Sequence, residues 1–250
     1  MQRVRIFPTA DALGAALAEV VANVLAKTPS SVLGLPTGRT PIPLYRHLID
    51  LHRLGRIDFR RATTFNLDEF VGLGQGDAGS YRTFMRKHLF DAVGLSPRRA
   101  HFLNGRARDL DKECERYERA IRRAGGIDLQ ILGLGTNGHI GFNEPARALS
   151  ARTHRVQLRT ATRQANASLF DHRWTRVPRE GLSMGMSTIL EARRIVLIAT
   201  GATKARAVER MIHGPVTTGM PASFLQLHPH ADVWVDSDAA ARLKGSGGIR

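Results

Sequence analysis

A single cysteine, Cys114, occurs in 250 residues. It excludes an intrachain disulfide and any multi-cysteine metal site, and it favours a reducing compartment. Cys114 recurs with Leu110, Tyr117 and Ile121 at helical spacing, which places it in the core rather than in chemistry. Aromatic residues are also scarce, at 6%, too few for a base-stacking platform. Acidic residues are few as well: 22 against 37 lysines and arginines, a formal net charge of +15. Such an excess can neutralise phosphates and release counterions. Here it is spread along the chain, with no helix-turn-helix or zinc knuckle, so the expectation is a solvated basic surface without a nucleic-acid partner. No apolar run approaches a membrane span, and "MQRVRIF" carries no hydrophobic leader segment. The expected setting is the cytoplasm, with no membrane partner.

What the chain does have is 42% hydrophobic residues and an alternation of short aliphatic runs with amphipathic stretches. "RVRIF", "SVLGL", "ATTFNL", "AHFLN", "DLQILGLG", "RIVLIAT" and "ADVWVD" read as strands. Helices are expected through Leu13, Leu17, Val20, Val21 and Val24, through "PLYRHLIDLHRL", near 109–124 and over 203–213. Near-continuous apolar strands separated by helices predict a single α/β domain over 1–250: a mostly parallel, doubly wound, Rossmann-like sheet with helices on both faces. In such sheets ligands lie beyond the carboxyl ends of the strands.

Four loops at those ends stand out. "PTGRTP", 36–41, offers Gly38 for close backbone approach and the hydroxyls of Thr37 and Thr40 before a helix, a composition suited to an anion and equally to a plain turn. "NLDEF", 66–70, puts Asp68 and Glu69 side by side, so that one can face a pocket and the other the interior. "GLGTNGHIGFNEP", 133–145, combines glycines with His139 and Glu144. "GATK" brings Lys204 to a helix start. Each has a bland reading as a solvated loop. His228-Pro-His230, without a third nearby ligand, reads as a turn rather than a metal site.

Taken in order, "LGLPTGRTP", "TTFNLDEF", "SYRTFMRKHLFDAVGL", "DLQILGLGTNGHIGFNEP", "ATGATKARAV" and "MPASFLQLHPHADVWVD" resemble the glucosamine-6-phosphate deaminase family. The related 6-phosphogluconolactonases resemble the fourth of these only through its Gly-His part. The resemblance implies conversion of glucosamine 6-phosphate and water to fructose 6-phosphate and ammonia, in amino-sugar catabolism, by a hydrolase that also isomerises. It implies Asp68, Asn137, His139 and Glu144 as the catalytic set and Tyr81 as a pocket-side residue; Thr37, Gly38, Thr40 and Lys204, together with Arg39 and Arg163, are expected to bind the substrate. The resemblance also implies a lid-like segment at about 157–182.

An imidazole with a pKa near 6.5 suits proton exchange during opening of the sugar ring, provided its tautomer is held. Glu144 is the matching carboxylate, able to meet His139 if the glycine-rich loop folds back. A carboxylate, Asp68, suffices to move the proton from C2 to C1. The reaction has no external redox step, so neither metal nor other cofactor is expected. The expected partner is a small amino-sugar phosphate, and the chain is expected as a monomer or small homo-oligomer.

Two positions depart from the family pattern. Asn137 stands where many relatives have aspartate, and Ser168 where an arginine commonly contacts the substrate phosphate. Arg39 and Arg163 are the candidates to restore that charge, Arg39 first. His154 and Val156 replace basic residues that bind N-acetylglucosamine 6-phosphate in the allosteric relatives, and the chain ends early, so no such activation is expected. The rival readings are a galactosamine-6-phosphate deaminase, a lactonase and a non-catalytic sugar-phosphate sensor.

Overall fold

A computed structural model describes residues 3–243; Met1 and Gln2 of the first expected strand lie outside them. Ten strands and seven α-helices follow in the order β1 (Arg3–Phe7), α1 (Ala10–Lys27), β2 (Val32–Leu35), α2 (Ile42–Arg53), β3 (Thr63–Asn66), β4 (Asp68–Phe70), α3 (Tyr81–Met85), β5 (Ala100–His101), α4 (Leu110–Arg123), β6 (Leu129–Gly133), β7 (His154–Gln157), α5 (Thr160–Ala165), β8 (Glu180–Ser183), α6 (Met186–Leu190), β9 (Arg194–Ala199), α7 (Ala205–His213) and β10 (Ala231–Asp236).

Seven strands form one parallel sheet in the order β1-β10-β9-β6-β2-β3-β5. β9 explains why these strands read as unbroken apolar runs. Ile195, Leu197 and Ala199 pack into the cluster that holds Cys114 and Tyr117 of α4 and Val208 of α7. Val196 and Ile198 pack into the opposite cluster with Leu17 of α1 and Tyr45 and Leu48 of α2. Both faces are covered, so alternation disappears from the sequence. The helix starts are locally specified: the Thr9 hydroxyl accepts from the Ala12 amide at 3.1 Å and the Asp109 carboxylate from the Lys112 amide at 3.0 Å, capping α1 and α4.

The chain builds the sheet outward from β2 through β3 to β5. It then crosses back to lay β6 on the other side of β2, where Leu33 pairs with Leu129 and Gly34 with Gln130. The loops leaving β2 and β6 therefore diverge, and a crevice opens between them at this topological switch point.

A second sheet, antiparallel and ordered β4-β8-β7, was not visible in the sequence. Asp68 and Glu69 belong to its strand β4, paired with Ser183 and Leu182, and not to the end of a main-sheet strand as expected. The same small sheet brackets the 157–182 segment: β7 ends at Gln157 and β8 begins at Glu180. Phe70, Tyr81, Phe142, Leu158 and Val177 form its own apolar cluster, onto which Phe170 packs. Among the described residues no helix is long and apolar enough to cross a membrane, and no group of three or more histidine, cysteine, aspartate or glutamate side chains is placed to hold a metal ion. Both ring nitrogens of His228 are engaged locally, Nε2 with the Ala192 carbonyl at 2.8 Å and Nδ1 with the His230 amide at 3.1 Å.

Candidate active site

A cavity of about 460 Å3 occupies the switch point. All four loops singled out in the sequence contribute to it. Thr37, Gly38, Arg39 and Thr40 line it from the β2 loop, Asp68 from β4, Asn137 and His139 from the β6 loop, and Lys204 from the β9 loop. Tyr81 of α3 and Thr162 and Asn166 of the 157–182 segment complete the wall. The β2 loop is held from beneath, since the Tyr45 hydroxyl donates to the Pro36 carbonyl and the Asn66 amide to the Leu35 carbonyl at 2.9 Å.

Adjacent carboxylates take opposite fates because successive strand residues face opposite ways. Glu69 turns inward and accepts from the amides of Phe70 at 2.9 Å, Tyr81 at 3.1 Å and Arg82 at 3.2 Å, fastening the start of α3. Burial raises it to about 7, with those amides opposing the rise. Asp68 turns to the cavity. No donor reaches its carboxylate among the described residues, and burial, then the charge of Glu69, raises its pKa well above the ordinary carboxylate range. The result is a desolvated carboxylate with its lone pairs unspent.

The glycine-rich loop presents His139 by close packing. The amide of Gly138 donates to the Gly135 carbonyl at 3.0 Å and the amide of Gly135 to the His139 carbonyl at 2.9 Å, folding the loop back on itself. Gly138 adopts φ +92°, a left-handed conformation suited to glycine. The imidazole lies so near Gly135 that a methyl group there would sit 2.3 Å from Nδ1.

Glu144 comes near His139, but it does not hold the ring directly as expected: Nδ1 and Oε2 are 3.7 Å apart. Asn137 stands between them. Its amide nitrogen donates to Glu144 Oε2 at 2.8 Å, and its Oδ1 lies 2.8 Å from His139 Nδ1. Because the carboxylate can only accept from the amide nitrogen, Oδ1 is left as the acceptor, and the neutral imidazole must carry its proton on Nδ1. Nε2 is then the basic atom. Burial lowers the pKa of His139; the Glu144 charge opposes that and the Lys204 charge adds to it, so the ring is neutral at neutral pH.

Lys204 lines the cavity with its pKa lowered by burial. Arg39 is exposed at the mouth, and its guanidinium makes no ion pair or hydrogen bond among the described residues. Tyr81 is buried beside Asp68, its hydroxyl donating to Asn166 Oδ1 at 2.9 Å.

Arg163 is the one expected substrate contact that the cavity leaves out. Its guanidinium donates to the carbonyls of Val177 at 3.0 Å and Thr175 at 3.1 Å and lies over the Trp174 ring at 5.1 Å, tying the 157–182 segment to itself. These carbonyls of its own segment hold the cation, and Arg163 does not line the cavity. Ser168 is exposed and does not line the cavity either. The sequence reading missed Thr136, Thr162, Asn166, Thr200 and Thr203. Thr200 precedes the quoted "GATK" and Thr203 lies within it, so both were findable there; Thr162 and Asn166 carried no signal of their own.

An oriented imidazole and a desolvated carboxylate sharing a polar cavity at a switch point define an acid–base enzyme of the doubly wound α/β class. A family model described as glucosamine-6-phosphate isomerases/6-phosphogluconolactonase matches residues 8–234, and the chain belongs to that family. A glucosamine-6-phosphate deaminase from Halothermothrix orenii is 49% identical over 224 residues, 90% of this chain and 92% of that one. A solved structure of a monomeric glucosamine-6-phosphate deaminase superposes with a TM-score of 0.93 at 41% identity, covering 96% of this chain and 100% of its own. The 6-phosphogluconolactonase from Trypanosoma cruzi shares the fold, with a TM-score of 0.77 at 18% identity over 97% of both chains.

Proposed function

We propose that this chain is a cytoplasmic glucosamine-6-phosphate deaminase, a monomer or small homo-oligomer that hydrolyses and isomerises glucosamine 6-phosphate to fructose 6-phosphate and ammonia. In this reading the chain is one catalytic domain and 157–182 its lid. One observation carries it: the unpaired Asp68 carboxylate and the basic Nε2 of an oriented His139 belong to the same cavity. The two reacting regions of the sugar, its ring oxygen with C1 and its C2 hydrogen, require two such groups.

His139 Nε2 takes the proton of the C1 hydroxyl and returns one to the ring oxygen, opening the pyranose. Asp68 removes the proton at C2 and delivers it to C1 through an enediol-like intermediate. C1 is thereby reduced and C2 oxidised to an imine, which water hydrolyses with release of ammonia. The electrons balance within the sugar, so the chemistry needs water and no redox partner. Amides of the Thr37–Thr40 loop, with Arg39 and Lys204, are the groups of the right charge for the 6-phosphate. Identity to deaminases far above that to the lactonases supports the amino sugar over a lactone.

Ammonia release from glucosamine 6-phosphate by the purified protein is the direct test, with galactosamine 6-phosphate and His139→Ala measured alongside. Release from the glucosamine sugar that disappears in the variant is expected. Release from the galactosamine epimer alone would transfer the reading to that substrate, and a wild-type protein that binds either sugar without releasing ammonia would make it a sensor.

A further inference from the structure

Glu144 is engaged on both sides. Oε2 receives the Asn137 amide, which fixes His139. Oε1 receives two donors from the 157–182 segment: the Thr162 hydroxyl and the Arg159 backbone amide, the latter at 3.4 Å. Thr162 is itself buried and sits on α5, the first helix of that segment. At the C-terminal cap of α5, Asn166 accepts from the Tyr81 hydroxyl at 2.9 Å, and its amide nitrogen donates to the Thr162 carbonyl at 2.9 Å. A continuous chain of hydrogen bonds thus runs from the segment through a carboxylate and an amide to the imidazole.

We propose that Thr162 is a positioning residue for His139, acting through Glu144 and Asn137, so that seating α5 and presenting Nε2 to the cavity are one event. A carboxylate can swing about its terminal torsion, which is broad. Without the Thr162 hydroxyl, Oε1 would keep only the long 3.4 Å contact from the Arg159 amide, and Glu144 could rotate and let Asn137 turn or flip its amide. An inverted Asn137 would offer N–H to Nδ1 and leave the proton of the neutral ring on Nε2, the wrong atom for a base. The Thr162 hydroxyl fills the second side of the carboxylate and removes that freedom. The arrangement makes the histidine competent when α5 is down, which is also when the cavity wall is complete.

The proposal rests on His139 being the ring-opening group, and its test has a readout that does not. Thr162→Val keeps the shape and deletes the hydroxyl; Thr162→Ser restores it. In the wild-type protein labelled with 15N-histidine, His139 is expected as a single neutral tautomer protonated on Nδ1. In Thr162→Val the spectrum should show a mixture of both tautomers, and kcat should fall by about 10- to 100-fold with KM changed less than threefold. The pH profile of kcat/KM should shift in Thr162→Val and return in Thr162→Ser. The charged and titratable groups around the ring in that profile are Glu144 on its own loop, Asp68 on β4, Tyr81 on α3, Lys204 after β9 and Arg39 after β2.

A melting temperature for Thr162→Val within a few degrees of wild type separates positioning from general unfolding. Should that variant prove unstable, Thr162→Ala, which also deletes the hydroxyl, carries the same comparison with wild type and Thr162→Ser in the spectrum. A His139 spectrum in Thr162→Val indistinguishable from wild type would overturn the proposal. A wild-type protein without deaminase activity but with the tautomer dependence intact would overturn the function and leave the relay standing.

Discussion

Replacing Gly135 with alanine tests the site at its tightest contact. The added methyl would lie 2.3 Å from Nδ1, 2.4 Å from Cε1 and 2.5 Å from Cγ of His139. Carbon against such atoms settles at roughly 3.5 Å, so the ring must withdraw by about 1 Å. The loop is poorly placed to yield instead, because the Gly135 amide is bonded to the His139 carbonyl at 2.9 Å and the Gly138 amide to the Gly135 carbonyl at 3.0 Å. Backbone conformation adds no penalty, since Gly135 is not among the residues with positive φ. Withdrawal breaks the 2.8 Å contact with Asn137 and moves Nε2 out of reach of the sugar. A misplacement of this size costs about 100-fold in rate, while overpacking against a movable side chain costs about 1–3 kcal/mol of stability. Steady-state ammonia release should therefore show kcat down by about two orders of magnitude in a protein that still melts cooperatively. A Gly135→Ala enzyme with kcat within twofold of wild type would show that ring placement against this glycine is irrelevant to catalysis.

Arg39→Gly should raise KM for glucosamine 6-phosphate by about tenfold or more, the worth of one charge-assisted contact, with kcat little affected; an unchanged KM removes Arg39 from the phosphate site. Asp68→Asn should reduce kcat by roughly 100-fold or more and at the same time stabilise the fold at neutral pH. The sign follows from linkage: a carboxyl whose folded pKa is raised binds more protons folded than unfolded, so it weakens the fold as pH rises from the ordinary aspartate range through the raised value. The gain in Tm over wild type should be large near pH 8 and vanish toward pH 4; a uniform loss of Tm would contradict this. N-acetylglucosamine 6-phosphate should not accelerate the reaction, because His154 and Val156 of β7 stand where the family resemblance read in the sequence implies basic residues for such an activator; activation in a rate assay would overturn that reading.

The sheet and the loops that carry the site were legible in the residues themselves. An apolar run such as Arg194–Ala199 between helices has few places to go but the middle of a parallel sheet, and loops after its strands must gather at one edge. Glycine spacing in 133–145 announced close backbone approach, and Gly135 against the imidazole is that approach. Four matters were settled only by tertiary structure, because three-dimensional geometry, and not residue type, decides which groups meet. Asp68 and Glu69 are chemically alike in sequence, and α3 together with the small sheet gives one three amide donors and the other none. Asn137 and Glu144 divide the work of holding His139 because amide polarity and a 3.7 Å gap dictate who donates to whom. Arg163 looked like a phosphate ligand until carbonyls of its own segment claimed it. Thr162 had no motif at all, and it acquires a role only because the β7–β8 excursion lays α5 against the Glu144 carboxylate. Residue type specified the chemistry available, and packing across the small sheet decided which group would perform it.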